Sequence, residues 1–216
     1  MQKSIIIGAG TYGEVYLAYL QEAGMDIVGF LDDDPKYANQ CVRGIPVLGS
    51  VSKLDTLMET DGIEAVYCPL GNNKLRVKFL EYSRQLGYKT PNFIHSSVQI
   101  APNVRIGSNS VYILQSTQIM PYVTIEDDVM ISCGANIIHH SYLSKGTFIS
   151  NGVNFGAHIT AKKYVYIGMG STIMTGVNML GEDCFIGAGA VVIHDVPDRA
   201  VMVGVPAKVL RYKDNS

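Results

Sequence analysis

The chain has 216 residues, 47% of them hydrophobic and 17% charged, with a formal net charge of only −2. That length supports two modest cores, and the balance excludes a disordered chain and argues against nucleic acid as a partner. The four cysteines, Cys41, Cys68, Cys133 and Cys184, are scattered and form no CxxC pair, so buried reduced thiols are expected rather than a disulfide framework or a cysteine zinc site.

Met1-Gln2-Lys3 leads into an apolar run that ends at Gly8. It is too short for a signal h-region or a membrane span, and the expectation is a cytoplasmic protein with no membrane partner. Over residues 1–90, apolar strand-like runs alternate with helically spaced stretches, the pattern of a Rossmann-like βαβ domain. Parallel strands are expected over 4–7, 26–30 and 65–68, and helices over 12–21 and 75–86. Pro91 marks the boundary, so the domains read as 1–90 and 91–216.

The first strand runs into Gly8-Ala9-Gly10-Thr11-Tyr12-Gly13, which opens the first helix. Its glycines permit close backbone approach, and the helix N-terminus offers unpaired N–H groups to a phosphate. Asp32 and Asp33 end the second strand, where a carboxylate would meet a ribose hydroxyl. The default for this pattern is NAD, but the domain holds half of a dinucleotide fold and no domain for hydride transfer follows. A mononucleotide or nucleotide-sugar fits the size better; a glycine turn that only packs helix on sheet is the alternative. Gly71-Asn72-Asn73 follows the third strand, either at the sheet edge where ligands collect or as an ordinary turn.

Beyond Pro91 a six-residue period takes over. From Ile119, every sixth residue reads Ile119, Ile125, Ile131, Ile137, Leu143, Ile149, Phe155, Ala161, Ile167 and Ile173. Four positions after each stands a small or β-branched residue: Val123, Val129, Ala135, Ser141, Thr147, Val153, Ile159, Val165, Ser171 and Val177. Neither an amphipathic helix nor a simple alternating strand has this period, whereas one flat side of a triangular parallel β-coil does. Hexads at Ile94, Ile100 and Ile106 precede a one-residue insertion near Tyr112, and those at Leu180, Ile186 and Val192 follow another near Met179. The coil is expected from about Ile94 to Pro197, with the segment through Ser216 capping its open end.

His139 and His140 occupy the third and fourth positions of the Ile137 hexad, where side chains can leave the prism for a cleft. Acyl transfer from a thioester to an amine or hydroxyl needs a base that titrates near neutral pH, for which imidazole is suited. His158 lies eighteen residues beyond His140, one coil turn later, so the two can stack. That pair also admits a metal site, ranked below catalysis because no carboxylate stands at the matching position. His95 and His194 read as structural. Gly204-Val205-Pro206-Ala207-Lys208 with Arg211 reads as an end cap, compatible with holding coenzyme A phosphates.

Together these features resemble the bacterial sugar acetyltransferases that join a nucleotide-sugar domain to a hexapeptide-repeat domain. That family includes sialic acid O-acetyltransferases and UDP-amino-sugar N-acetyltransferases. The likeness covers nearly the whole chain and rests on the Gly8 to Gly13 turn, Phe30-Leu31-Asp32-Asp33, Gly71-Asn72-Asn73, Ile119-Met120-Pro121, the hexads and Gly204-Val205-Pro206-Ala207-Lys208.

The resemblance implies a left-handed parallel β-helix, a homotrimer, and acetyl-CoA in the groove between neighbouring β-helices. The family's catalytic histidine stands two residues after an inward isoleucine, which carries that role to His139. His140 then takes the place of an acidic residue that raises the basicity of the base in the amino-sugar enzymes. A second family histidine, which meets acetyl-CoA, falls on Phe148, and backbone acetyl-CoA contacts fall on Met169 and Ala188. Sugar-nucleotide contacts fall on Thr11, Tyr12, Gly13, Asp32, Asp33 and Gly71. The implied activity is acetyl-CoA-dependent N-acetylation of a nucleotide-linked amino sugar in bacterial surface-glycan biosynthesis, with no metal. The alternatives are O-acetylation of a sialic-acid-type sugar and a non-catalytic nucleotide-binding trimeric scaffold.

Overall fold

A computed structural model describes residues 2–214. Residues 1, 215 and 216, which the expected domains and cap include, lie outside the described residues. The chain forms two compact units, Met1–Asn92 and Phe93–Ser216.

The first unit is built on a sheet whose strands run, in spatial order, β3 (Cys41–Val42), β4 (Ile45–Gly49), β2 (Asp26–Leu31), β1 (Lys3–Ile7) and β5 (Ala65–Tyr67). β1 (Lys3–Ile7) lies between β2 (Asp26–Leu31) and β5 (Ala65–Tyr67), parallel to both. Ile5, Ile6 and Ile7 are all buried, because a central parallel strand is covered on both faces and so reads as a continuous apolar run. Helix α1 (Thr11–Glu22) buries Gly13, Tyr16, Leu17 and Leu20, the three-and-four spacing of one helical face.

Two features escaped the sequence pattern. β3 (Cys41–Val42) and β4 (Ile45–Gly49) form an antiparallel hairpin, and helix α2 (Leu54–Asp61) follows. The hairpin turns on Arg43 and Gly44, both at positive φ (51° and 83°), as the favoured two-residue hairpin turns require. With only two residues in β3 and Pro46 in β4, no alternation can emerge from the sequence. α2 stops at Gly62, whose left-handed φ of 66° returns its N–H to the Leu57 carbonyl. Helix α3 (Asn73–Gln85) completes the unit.

The second unit is a left-handed parallel β-helix made of three lanes of two-residue strands. The inward residues of the first lane are Ile94, Ile113, Ile131, Ile149, Ile167 and Ile186. Those of the second are Ile100, Ile119, Ile137, Phe155, Ile173 and Val192. The third holds Ile106, Ile125, Leu143, Ala161 and Leu180. From Ile113 to Ile173 the inward residues and those four positions later form one buried cluster, with Thr117, Ser141, Thr147 and Ser171 buried beside it. One extra residue enters between Ile106 and Ile113 and another between Ile173 and Leu180, as the hexad phase required.

The coil does not end at Pro197. Strand Ala200–Val203 adds another course to the first lane against Phe185 and Ile186, and Lys208–Tyr212 folds back antiparallel on it. Proline interrupts the hexad pattern, but the ladder needs only backbone pairing, which resumes three residues later. Among the described residues no helix is long and apolar enough to cross a membrane.

Candidate active site

In the first unit the glycine turn is held by packing. Gly8 has φ +102°, and a Cβ on Gly13 would lie 1.9 Å from the Gly8 carbonyl oxygen, so helix α1 meets the end of β1 backbone to backbone. Asp32 completes the turn: its carboxylate accepts the Ala9 N–H at 2.7 Å and the Asp34 N–H at 2.9 Å. Asp33 accepts from the Val51 N–H at 2.8 Å. Both aspartates therefore anchor loops, leaving their remaining lone pairs for a ligand. Gly10 caps α1 without a side-chain hydrogen bond, and the first-turn N–H groups of such a helix suit an anion.

Two cavities adjoin this turn. An open cleft of ≈ 680 Å³ is lined by Gly10, Thr11, Lys36, Tyr37, Gln40 and Arg43, among others. A smaller one of ≈ 160 Å³ is lined by Asp32, Asp33, Val51, Leu70, Leu75 and Phe79, with Gly8. Thr11 thus borders the first and the two aspartates the second. Tyr12 is exposed and stacks on Tyr16, Gly13 is buried, and Gly71 lines neither cavity but has open space beside its Cα. The asparagines of Gly71-Asn72-Asn73 serve α3. Asn72 caps it by accepting from the Leu75 N–H, and Asn73 accepts from buried Arg76.

In the β-helix, from Ile113 to Ile186, the residue three past each inward position adopts positive φ. On the corner after the first lane Gly134, Gly152 and Gly170 take this role, whereas on the corner after the second it falls to Tyr122, His140 and His158 (φ 66°, 61° and 59°). The backbone sets these side chains one above another: the His140 N–H donates to the Pro121 carbonyl, and the His158 N–H to that of His139. Tyr122 lies 4.8 Å from His140, centroid to centroid, and His140 stacks on His158 at 4.7 Å and 13°. His139 meets both imidazoles edge-on, with its Nδ1 3.0 Å from Nδ1 of His140. One of those nitrogens must carry the shared proton while the other accepts it. Loss of hydration within the stack, then the neighbouring His158 and His139, hold His140 below the ordinary imidazole pKa.

The expected acetyl-CoA residues lie elsewhere on the coil. Met169 and Ala188 each follow a first-lane isoleucine by two residues, are exposed, and sit on successive courses joined by the Gly189 N–H to the Met169 carbonyl. Within one chain they therefore mark the opposite edge of the second-lane face from the histidines. That face is polar, with Gln118, Asn136, Asn154 and Thr172 as the residues before its inward positions, and Asn136 donates to Asn154. Phe148 is different again. It is only 2% exposed and packs against Tyr166, in a ladder continued by Phe185, so it offers no open surface to a cosubstrate.

A family model described as the PglD N-terminal domain matches residues 3–83. The whole chain superposes on the acetyltransferase domain of PglB from Neisseria gonorrhoeae FA1090, with TM-score 0.88, 28% identity, and coverage of 97% of this chain and 100% of that one. It likewise superposes on PerB from Caulobacter crescentus, solved in complex with CoA and GDP-perosamine, with TM-score 0.82, 30% identity and 97% of both chains covered. The chain belongs to the PglD-type sugar N-acetyltransferase family. Among curated relatives, galactoside O-acetyltransferase of Escherichia coli (strain K12) is 31% identical over 116 residues, 50% of this chain and 54% of that protein. The chain spans about half the length of the curated relatives it matches.

For a member of this family, the sequence reading missed Lys36, Tyr37, Gln40 and Arg43 as cleft residues and Tyr122 as the third ring of the stack. Lys36 pairs with Asp34 and Arg43 with Glu14. Lys36 lies five residues past the second strand and Arg43 in the hairpin turn, and both line the open cleft. Tyr122 stands eighteen residues before His140, the same step that linked His140 to His158.

Proposed function

We propose that this chain transfers acetyl from acetyl-CoA to the amine of a nucleotide-linked sugar, in bacterial surface-glycan biosynthesis and in the cytoplasm. The observation that carries this is the full-length likeness, at 30% identity, to a protein solved with CoA and a nucleotide-linked amino sugar, in a chain that sets three imidazoles on one coil corner. In this reading residues 1–90 hold the nucleotide-sugar, through the region of Thr11, Tyr12, Gly13, Asp32, Asp33 and Gly71, and residues 91–216 carry out the transfer.

His139 is the base and His140 its positioning residue. With Nδ1 of His139 hydrogen-bonded to His140, Nε2 is left to take the proton of the sugar amine as that amine attacks the thioester carbonyl. A backbone N–H in the groove stabilises the tetrahedral oxyanion. The C–N bond forms, the C–S bond breaks, and the proton passes from His139 to the departing thiolate, so neither an acetyl-enzyme nor a metal is required. Because the His139 corner and the Met169 and Ala188 corner bound opposite edges of one face, the reading assigns the acetyl-CoA groove to two chains of a homotrimer. Phe148 then supports the coil rather than touching the cosubstrate.

The test is coenzyme A thiol release with a panel of UDP-, TDP- and GDP-linked amino sugars. Thiol should appear in step with a hydroxylamine-stable acetyl product, as an amide is. A hydroxylamine-labile product would establish O-acetylation instead. Nucleotide binding with no thiol release from any amino sugar would establish the scaffold reading. A monomer by light scattering at about micromolar concentration would overturn the shared groove.

A further inference from the structure

We propose that His139, His140 and His158 together bind one borderline divalent transition-metal cation of the Zn²⁺ kind, and that this cation blocks the proposed base. The inhibitory part rests on the function proposed above; the binding part does not. One ring nitrogen from each of the three lies within 4.8 Å of the other two. Two ligands of a tetrahedral zinc, each at about 2.0–2.1 Å, stand about 3.4 Å apart. The His139 and His140 Nδ1 atoms, 3.0 Å apart, are within tenths of an ångström of that spacing, and the third nitrogen has to close by roughly 1.4 Å.

Rotation about side-chain bonds supplies that closure. The His140 and His158 rings are nearly parallel, and parallel rings cannot aim in-plane lone pairs at one point, so a bound cation must swing one ring out of the stack. Both rings are exposed, and that of His158, which among the described residues is held by ring contacts alone, is the one to swing. The backbone needs no change, since the hydrogen bonds from His140 to Pro121 and from His158 to His139 already hold the two corners on successive courses.

The donor set fixes the class of cation. Three neutral imidazoles suit Zn²⁺, Cu²⁺ or Ni²⁺ and not the oxygen-seeking Mg²⁺ or Ca²⁺. Three protein ligands leave a coordination position to water, the arrangement of an open rather than a closed site. Among the described residues no carboxylate hydrogen-bonds to any of the three rings. The imidazoles thus lack the outer partners that orient and strengthen metal ligands, and binding should be reversible.

The experiment is a titration of the metal-free full chain with Zn²⁺ against a chromophoric chelator. About one ion per chain should bind at micromolar concentration, and Mg²⁺ should not compete. His158→Asn and His140→Asn, which keep a residue suited to the left-handed corner, should each weaken binding at least about tenfold, while His95→Asn leaves it unchanged. In the thiol-release assay Zn²⁺ should inhibit and a chelator should restore turnover. His158→Asn, measured against its own uninhibited rate, should need about tenfold more Zn²⁺ for the same fractional inhibition. Equal Zn²⁺ affinity in the wild type and His158→Asn would overturn the site while leaving acetyl transfer standing. Zn²⁺ binding lost in the histidine variants, from a chain that transfers no acetyl group, would uphold the site and overturn the proposed function.

Discussion

The two units solve the same packing problem in opposite ways. In the β-helix from Phe93 to Val192 each strand pairs with strands eighteen or nineteen residues away, and the same inward step is repeated course after course. In the first unit the sheet order is β3-β4-β2-β1-β5, and its closest approach depends on two particular glycines, Gly8 and Gly13. A repeating coil spreads its stability over many equivalent positions, so its chemistry can sit at the corners without disturbing the core. A non-repeating sheet has no spare copies, and one glycine can serve packing and ligand approach at once.

The largest effect expected from this contrast is at the coil core. Ile137 is fully buried, and Ile137→Asp would bury a charge with no partner, at a cost of several kcal/mol. Loss of the folded coil by circular dichroism is expected; a cooperative melt close to that of the wild type would break the account of the inward lanes.

Next comes the corner. His139→Ala should lose about a hundred- to ten-thousand-fold in kcat with acetyl-CoA binding retained, and His140→Ala should keep a measurable fraction, since it acts through His139. His139→Ala should melt like the wild type, because its ring lies outside the buried core, whereas His140→Ala sets alanine at a positive φ and should melt slightly lower. If His140→Ala is the dead variant and His139→Ala still turns over, the register is off by one residue and His140 takes the proton.

In the first unit Gly13→Ala should destabilise by about 1–3 kcal/mol or more, because its Cβ would overlap the Gly8 carbonyl. Weaker nucleotide binding by Gly13→Val would therefore not isolate phosphate approach. Gly71→Ala separates the two roles: nothing lies within 4 Å of its added Cβ, so stability should change by less than about 0.5 kcal/mol while nucleotide-sugar affinity falls. Unchanged affinity by calorimetry would remove Gly71 from the site.

The smallest effect is electrostatic and lies at the end of the coil. Asp198 is held below the usual carboxyl pKa, chiefly by the Glu182 backbone N–H, and Asp195 by that of Asn178. A depressed folded-state pKa contributes stability above the unfolded value and loses it as pH falls through the folded one. Asp198→Asn should therefore lower Tm slightly on the neutral side and converge with the wild type as pH falls, which flattens the acid side of a plot of Tm against pH. Curves that superimpose, or that stay offset by a constant amount into acid, would rule the contribution out.

Much of the coil was legible because its period belongs to the chain itself. An aliphatic residue at every sixth position has one geometric solution, and even the single extra residues near Tyr112 and Met179 show as phase slips. In the first unit the buried triple isoleucine of β1 and the amphipathic α1 and α3 were legible for the same reason: local pattern and burial agree. The β3–β4 hairpin was not, since two residues and a proline-bearing partner strand show no alternation.

Sequence alone thus determined the fold class of each unit, the lane residues and the identity of the two histidines beside each other, because all of these follow from spacing along one chain. Only the tertiary structure decided that Asp32 pins the glycine turn, that Gly13 is a packing glycine, and that Lys36 and Arg43 border the cleft. It also decided that Phe148 is buried and that His139 turns edge-on to the His140 and His158 rings, whose stacking the eighteen-residue step already allowed. The loop contacts depend on where non-repeating segments come to rest against one another, and no period along the chain encodes that.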